Sequence, residues 1–422
     1  MIGDGMGHNC IRAADYYYGS SPFSAFPYSS TMATFHAGSG YDPALAWSDP
    51  EYITRGHTES AAAATALATG FKTSLNTVGL SPAGDTLMNL TELAKMIGKS
   101  AGVITTVPFS HATPAAFMVH NRSRSNYRQI AYDAMFRSRC DVLMGCGNPE
   151  FDEDGIPLGE DWGFAGYVGD SATWRALKEG SGTVTELTAD GGRRSVQDVT
   201  GDGIPDPWTV ITSATDFRNL ANGPTPARVL GCPEVHTTLQ QGRKQGGGES
   251  KDSPPFLAPF NPGVPTLSEM VLCGLNVLDN NPSGFFMMAE GGAIDWANHE
   301  NQKGRMLEEM KEFRDAVEAV CKWVETNSSW EETLLIVTAD HECGNLWGGA
   351  IFVPVGDNGT GNLPTLQYNS HDHTNSLVAV YARGAGASFL MQEADETDQV
   401  RGHYLQNNEI PMVIFRLWNR NQ

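Results

Sequence analysis

The sequence predicts an α/β fold: a large mixed, mostly parallel central sheet flanked by helices on both faces, with one loop-rich insertion. Short apolar runs alternate with helical segments along most of the chain, the order that builds βαβ units. Two of these runs, one starting at Phe285 and one from Leu334 to Val337, lead straight into acids and histidines. Open parallel sheets collect their functional groups beyond the carboxyl ends of strands, so both clusters can face one crevice. The periodic pattern fades only in the middle. One domain over 1–422 is therefore expected, with 151–263 as an insertion or cap within it.

At the start, MIGDGMG places Asp4 after only two apolar residues. If these end a strand, most of that strand and any signal peptide lie upstream. The Ala-rich segment Ser60 to Thr69 is a strong helix former and stops at Gly70. A second helix is expected over Leu90 to Ile97 and a strand over Gly102 to Val107. From about Phe151 to Gly263, Gly, Pro, Asp and Ser accumulate, and Gln241 to Pro255 reads as a flexible loop. After the strand at Phe285, a helix over Gly304 to Thr326 carries Met306, Met310, Phe313, Val317, Val320 and Val324 at helical spacing, a core stripe. Strands at Leu334 to Val337 and Leu377 to Tyr381 complete the pattern.

The 422 residues are 40% hydrophobic, enough for a large core, and their formal charge is -21. That charge excludes nucleic acid and anionic membrane surfaces as partners and favours small ligands and metals. No apolar run approaches the roughly 20 residues that span a bilayer. Seven scattered cysteines form no CxxC pair and define no disulfide framework; an exported protein could hold one disulfide, for example Cys140 to Cys146.

Chemistry concentrates in five places. In FFMMAEGGAIDWANH, Glu290, Asp295 and His299 close an apolar strand, and a bound cation would offset their desolvation. Asp295 and His299, four apart, share one helix face, a spacing that suits Zn2+. An acidic first helical turn is the plainer alternative. The second cluster is Asp340, His341, Glu342 and Cys343. In HTESAAAATALATG, Ser60 falls at or near a helix N-cap, where free backbone N–H groups suit an anion such as phosphate or simply cap the helix. His111, Thr113, His120 and Arg124 follow the strand at Gly102, and the planar fork of Arg124 matches two phosphate oxygens. Last, in DVTGDGIPDPWT, Asp198, Thr200, Asp202 and Asp206 follow the early positions of a structural Ca2+ loop, but Thr209 stands where a bidentate acid would close it, and an acidic, turn-rich surface loop is the plainer reading.

GDGMG, TESAAAATALATG, HATPAAF with an arginine eleven residues after its threonine, EGGAIDWANH, TADHECG and a late HT before a strand occur in one order that resembles the alkaline phosphatase family. The resemblance spans the chain apart from its middle. It implies Ser60 as a nucleophile that becomes phosphoserine and Arg124 as the phosphate clamp. It further implies one Zn2+ held by Asp295, His299 and His373 and a second by Asp4, Asp340 and His341. Asp4 would bridge to a Mg2+ completed by Glu290 and Thr113. His373 is chosen over His371 because Thr374 and a strand follow it. Two such metals about 4 Å apart can clamp the attacking and leaving oxygens of an in-line displacement. The implied activity is alkaline hydrolysis of small phosphate monoesters, by a homodimer that is periplasmic or secreted. The alternatives are a two-metal phosphodiesterase or another superfamily hydrolase, and a noncatalytic Ca2+-binding protein; no C/S-x-P-x-R motif marks a sulfatase.

Three departures from the best-known pattern stand out. Glu59 replaces the aspartate that precedes the serine, so its longer side chain must fold or shift. His111 and Trp296 replace aspartate and lysine of the enteric form, a pair similar to marine and cold-adapted members that lies near the third metal and phosphate. The acidic excess is compatible with a marine or salt-tolerant source.

Overall fold

Eleven strands form one sheet. From one edge the order is Glu396–Asp398, Gly402–Gln406, Tyr28–Ala33, Val378–Gly384, Leu334–Thr338, Ile2–Gly3, Phe285–Gly291, Ser100–Pro108, Val142–Cys146, Val229–Gly231 and Thr209–Ile211. Seven of the ten neighbouring pairs are parallel and three antiparallel. This is a computed structural model, and it describes residues 1–179, 186–187, 193–194, 196–244 and 250–419.

The central strands are apolar because both sheet faces are covered; all nine residues of Ser100–Pro108 are buried. Alternation along Phe285–Gly291 shows the two covers. The Cα–H of Gly291 faces Phe313 of helix Lys303–Asn327, where a Cβ would approach to 3.0 Å. Phe286, on the opposite face, packs on Phe117 and Trp418, both at 6.1 Å between rings. The core stripe expected on the long helix is buried throughout, from Met306 to Val324, but so are Arg305, Glu308, Glu309 and Glu312.

The Ala-rich helix runs Ser60–Thr69, and every residue in it is buried. Gly70 ends it in the left-handed region at φ 82, which glycine adopts without steric cost. Its small side chains let it lie against the short helix Ala112–Ala116.

The stretch 151–263 contributes the strands Val229–Gly231 and Thr209–Ile211 to one end of the sheet. Parts of it, including 245–249 of the loop expected at Gln241 to Pro255, lie outside the described residues. All seven cysteines are free. The Cys140 to Cys146 pairing fails because the extended strand Val142–Cys146 separates the two thiols by far more than the roughly 7 Å limit between bridged Cα atoms.

Candidate metal centre and active site

Register assembles the site. Ile2 pairs with both Glu290 and Thr338, so three adjacent parallel strands deliver Asp4, Glu290 and Asp340 at the same end of the sheet. Helix Ala293–His299 follows directly and turns Asp295 and His299 toward them. The two-residue strand His373–Thr374 pairs with Glu342–Cys343 and brings His373 alongside.

The first group is Asp295, His299 and His373. Asp295 Oδ2 lies 3.3 Å from His299 Nε2 and Asp295 Oδ1 3.4 Å from His373 Nε2, while the two Nε2 atoms are 3.0 Å apart. Each ring is steered by its far nitrogen: His299 Nδ1 meets His371 O at 2.6 Å and His373 Nδ1 meets Thr58 O at 3.1 Å. Carbonyl oxygens accept only, so both Nδ1 atoms carry the proton and Nε2 is left to a cation. His371 is not in the group; its ring nitrogens go to His299 O and Lys251 Nζ, at 2.8 and 3.1 Å.

The second group is Asp4, Asp340 and His341. His341 Nε2 is 3.2 Å from Asp340 Oδ2, 3.4 Å from Asp4 Oδ1 and 3.2 Å from Ser60 Oγ. Its ring stacks on His373 at 3.6 Å, joining the groups. In the third place, Thr113 Oγ1 donates to Asp4 Oδ2 at 3.4 Å, and Glu290 is fully buried beside them.

These groups fit divalent cations. Asp4 Oδ1, Asp340 Oδ2 and Glu290 Oε1 are buried without a hydrogen-bond partner, and the donors are carboxylate oxygen and imidazole nitrogen. Burial and mutual repulsion show the same need. Asp4 is pushed well above the usual carboxylate range by burial and then by Asp340, Asp295 and Glu290. Burial lifts Glu290 to about 8, and burial with Asp295 lifts Asp340 to about 7. Asp295 goes the other way: burial opposes its ionisation, but bonds to His299 and His373 hold it well below normal. His299 is raised to about 9, the bond to Asp295 outweighing burial.

Ser60 is the first residue of its helix, and Glu59 is the cap. Glu59 Oε2 and Oε1 accept from Ala61 N at 2.9 Å and Ala62 N at 2.8 Å. The free N–H groups expected for an anion at this helix end are therefore taken by a carboxylate already in the chain. Glu59 also holds Arg124 Nη1 at 2.5 Å and accepts from Asn76 N at 2.8 Å. Its longer side chain folds back to cap the helix and orient the arginine at once. Although burial raises the Glu59 carboxyl, Arg124 and these N–H groups bring it below its usual value.

His111 lies against Tyr127 at 5.0 Å, Trp296 at 5.2 Å and Tyr167 at 5.5 Å. Burial, helped by Arg124, pushes it down to about 3, so it is neutral. His120 sits apart, bonded to Gly79 O and Glu92 Oε1.

Sequence reasoning missed Thr105, which pairs in register with Glu290 and donates to its Oε2. It missed the proximity of Cys343 to Asp295, His299 and His373, and a further grouping of His57, Asp372 and His373. Cross-strand register across 185 residues leaves no local signal. The Asp198 loop is separate and exposed. Asp198 accepts from Gly201 N and Gly203 N at 2.5 and 2.8 Å, Asp206 from Val199 N and Thr200 N at 2.8 and 3.0 Å, and Asp202 from Ile204 N at 2.8 Å. Thr200 Oγ1 joins Asp198 and Asp206, whereas Asp202 is folded into its own turn.

A mostly parallel α/β sheet with buried acids and histidines converging at its strand ends defines an α/β protein with a candidate metal centre. A sequence model of the alkaline phosphatase family matches residues 1–166 and 182–412, and the chain belongs to that family. Alkaline phosphatase 4 of Bacillus subtilis (strain 168) is 31% identical over 355 residues, covering 83% of this chain and 62% of that protein. The human tissue-nonspecific isozyme is 26% identical over 441 residues, covering 97% of this chain and 73% of that one. The chain spans 62% and 52% of the length of the two Bacillus subtilis relatives, alkaline phosphatases 4 and 3. Among solved structures, the cold-active alkaline phosphatase of the psychrophile Shewanella sp. superposes with a TM-score of 0.67 at 22% identity, over 99% of this chain and 98% of that one. Alkaline phosphatase from the Antarctic bacterium TAB5 gives 0.65 at 21% identity, over 100% and 97%.

Proposed function

We propose that this chain hydrolyses small phosphate monoesters in alkali through a phosphoserine on Ser60, releasing inorganic phosphate and an alcohol. The observation that carries the reading is Ser60 Oγ, 3.2 Å from His341 Nε2 at the edge of the buried acid cluster, with Arg124 ion-paired to Glu59, the residue next to Ser60. Asp295, His299 and His373 would hold one Zn2+, Asp4, Asp340 and His341 another, and Asp4, Glu290 and Thr113 a Mg2+. Bound there, these cations neutralise the acids, lower the pKa of oxygens they hold and take up charge on the transferring phosphoryl group.

Ser60 Oγ attacks phosphorus in line while the bond to the ester oxygen breaks and the alcohol departs. Arg124 holds two equatorial oxygens, and Glu59 fixes the position of its planar guanidinium through Nη1. Water then attacks the phosphoserine from the vacated side, freeing phosphate and restoring the hydroxyl. Two inversions give net retention at phosphorus. Structures of TAB5 variants with a histidine replaced by Glu or Asp are described with Mg bound in the M3 site. In this chain neutral His111 with Trp296 would leave the Mg2+ position with one acid fewer, loosening that ion and the phosphate.

The Ser60→Ala protein should lose turnover of 4-nitrophenyl phosphate and form no phosphoserine detectable by mass spectrometry after acid quench. Full activity in Ser60→Ala would refute the mechanism, and faster turnover of diesters than monoesters would favour the phosphodiesterase. Family membership also supports a homodimer in the periplasm or outside the cell, and one functional unit over 1–422 with 151–263 flanking the site. A structural Ca2+ at Asp198, Thr200, Asp202 and Asp206 is read from melting temperature with and without Ca2+ in wild type and Asp202→Ala. Among the described residues no helix is long and apolar enough to cross a membrane.

A further inference from the structure

From Trp296, next to the ligand Asp295, aromatic rings continue outward without interruption. Trp296 lies 5.2 Å from His111, His111 5.0 Å from Tyr127, Tyr127 5.2 Å from Tyr167, and Tyr167 5.0 Å from Phe164. The inner end borders the site: Trp296 follows Asp295 directly, and His111 feels the charges of Arg124 and Asp295. The outer end is open, with Phe164 52% exposed.

The seat of this outer pair is shaped by absent side chains. A Cβ at Gly166 would come within 2.2 Å of the Phe164 ring, and one at Gly147 within 2.8 Å of Tyr167 Cβ. Glycine at both places lets Phe164 and the turn Ala165–Val168 that follows it bring the Phe164 and Tyr167 rings against Tyr127. Phe164 and Tyr167 thus bring a piece of the stretch 151–263 to the active-site edge.

We propose that Phe164, Tyr167 and Tyr127 form a stacking wall for a flat aromatic ring in the leaving group, so that aryl and nucleoside monophosphates are preferred over alkyl phosphates. The wall rests on the phosphatase reading above. A ring edge-on or offset to these faces gains dispersion and quadrupole contacts that an alkyl chain does not match. Arg124 anchors the phosphate at one end and the wall receives the ring at the other.

The test compares kcat/KM for phenyl phosphate, adenosine 5′-monophosphate and ethyl phosphate in the metal-loaded protein. Phe164→Ala and Tyr167→Ala should each lower the aromatic-to-ethyl ratio about 3- to 10-fold, mostly through KM, and phenylphosphonate should lose its inhibitory advantage over methylphosphonate by a similar factor. Phe164→Tyr should retain the ratio and Phe164→Leu should not. If phenyl phosphate alone responds, the ring must be attached directly; if adenosine 5′-monophosphate alone responds, the wall reaches only past a sugar. Unchanged ratios in folded, active variants overturn the wall, whereas a wild type inactive on all three esters overturns the phosphatase reading instead.

Discussion

Glu308 and Asp340 are both fully buried carboxylates, yet they are met differently. Glu308 Oε2 accepts from Arg243 Nη2 at 2.8 Å and Arg305 Nη1 at 3.1 Å, and its other oxygen from Phe256 N. Arg243 spends its remaining donors on Pro259 O, Gln240 O and Ala258 O, at 2.9, 2.7 and 2.6 Å. Asp340 has backbone donors on Oδ1, from Gly5 and His341, but Oδ2 has no hydrogen-bond partner and faces a site shared with other acids. One region carries its countercharge in the chain, and the other leaves it to come from outside. Burial alone therefore does not mark a candidate metal ligand; several buried acids converging with histidines and without a countercharge do.

The largest expected effect lies at the cation-dependent region. Asp340→Asn should lower turnover about a thousandfold, the factor for about 4 kcal/mol of transition-state stabilisation. Its stability effect should change sign. In chelator the substitution relieves repulsion and raises the melting temperature, while with Zn2+ it removes a ligand and lowers it. A loss of equal size under both conditions would break the comparison.

Next comes Glu308→Ala, which strands two buried guanidinium groups and should cost about 3–5 kcal/mol in urea unfolding. Zn2+ should not rescue it. Smaller is Arg124→Lys, which keeps the charge and loses the fork; kcat/KM should fall about 10- to 100-fold and phosphate should inhibit more weakly.

The smallest concerns Glu309, beside Glu308 but with Oε1 unpartnered. Burial, then Glu312 and Glu308, push its carboxyl up to about 8. The folded state thus keeps a proton that the unfolded chain releases near pH 4.3. Stability falls as pH rises from about 4.3 to about 8 and then levels. Glu309→Gln should be neutral in acid and raise the melting temperature at pH 9 by about 2–4 °C; a gain at pH 4 would refute the cause.

Much of this was legible in the chain. The strands Phe285–Gly291 and Leu334–Thr338 announced themselves because each apolar run leads into acids and histidines that cannot be buried alone. The helix Ser60–Thr69 was bounded to the residue by composition and Gly70. The double use of Glu59 was not, because capping and ion pairing through one carboxylate depend on Asn76 and Arg124 arriving from elsewhere. Strands Val229–Gly231 and Thr209–Ile211 are three residues each, too short for alternation to register. Phe164 and Tyr167 sit in a stretch without periodicity, so nothing local linked them to Trp296.

The carbonyl bonds that orient His299 and His373 also decide what must leave when a cation arrives. With its ring raised to about 9, His299 holds a proton on Nε2 against Asp295 across the neutral range. Metal and proton compete for one nitrogen, and loading expels the proton into solvent. Apparent Zn2+ affinity should climb with pH until about 9, measurable as acid released into a weak buffer. Alkali would then do more than assist the reaction: it would fill the site.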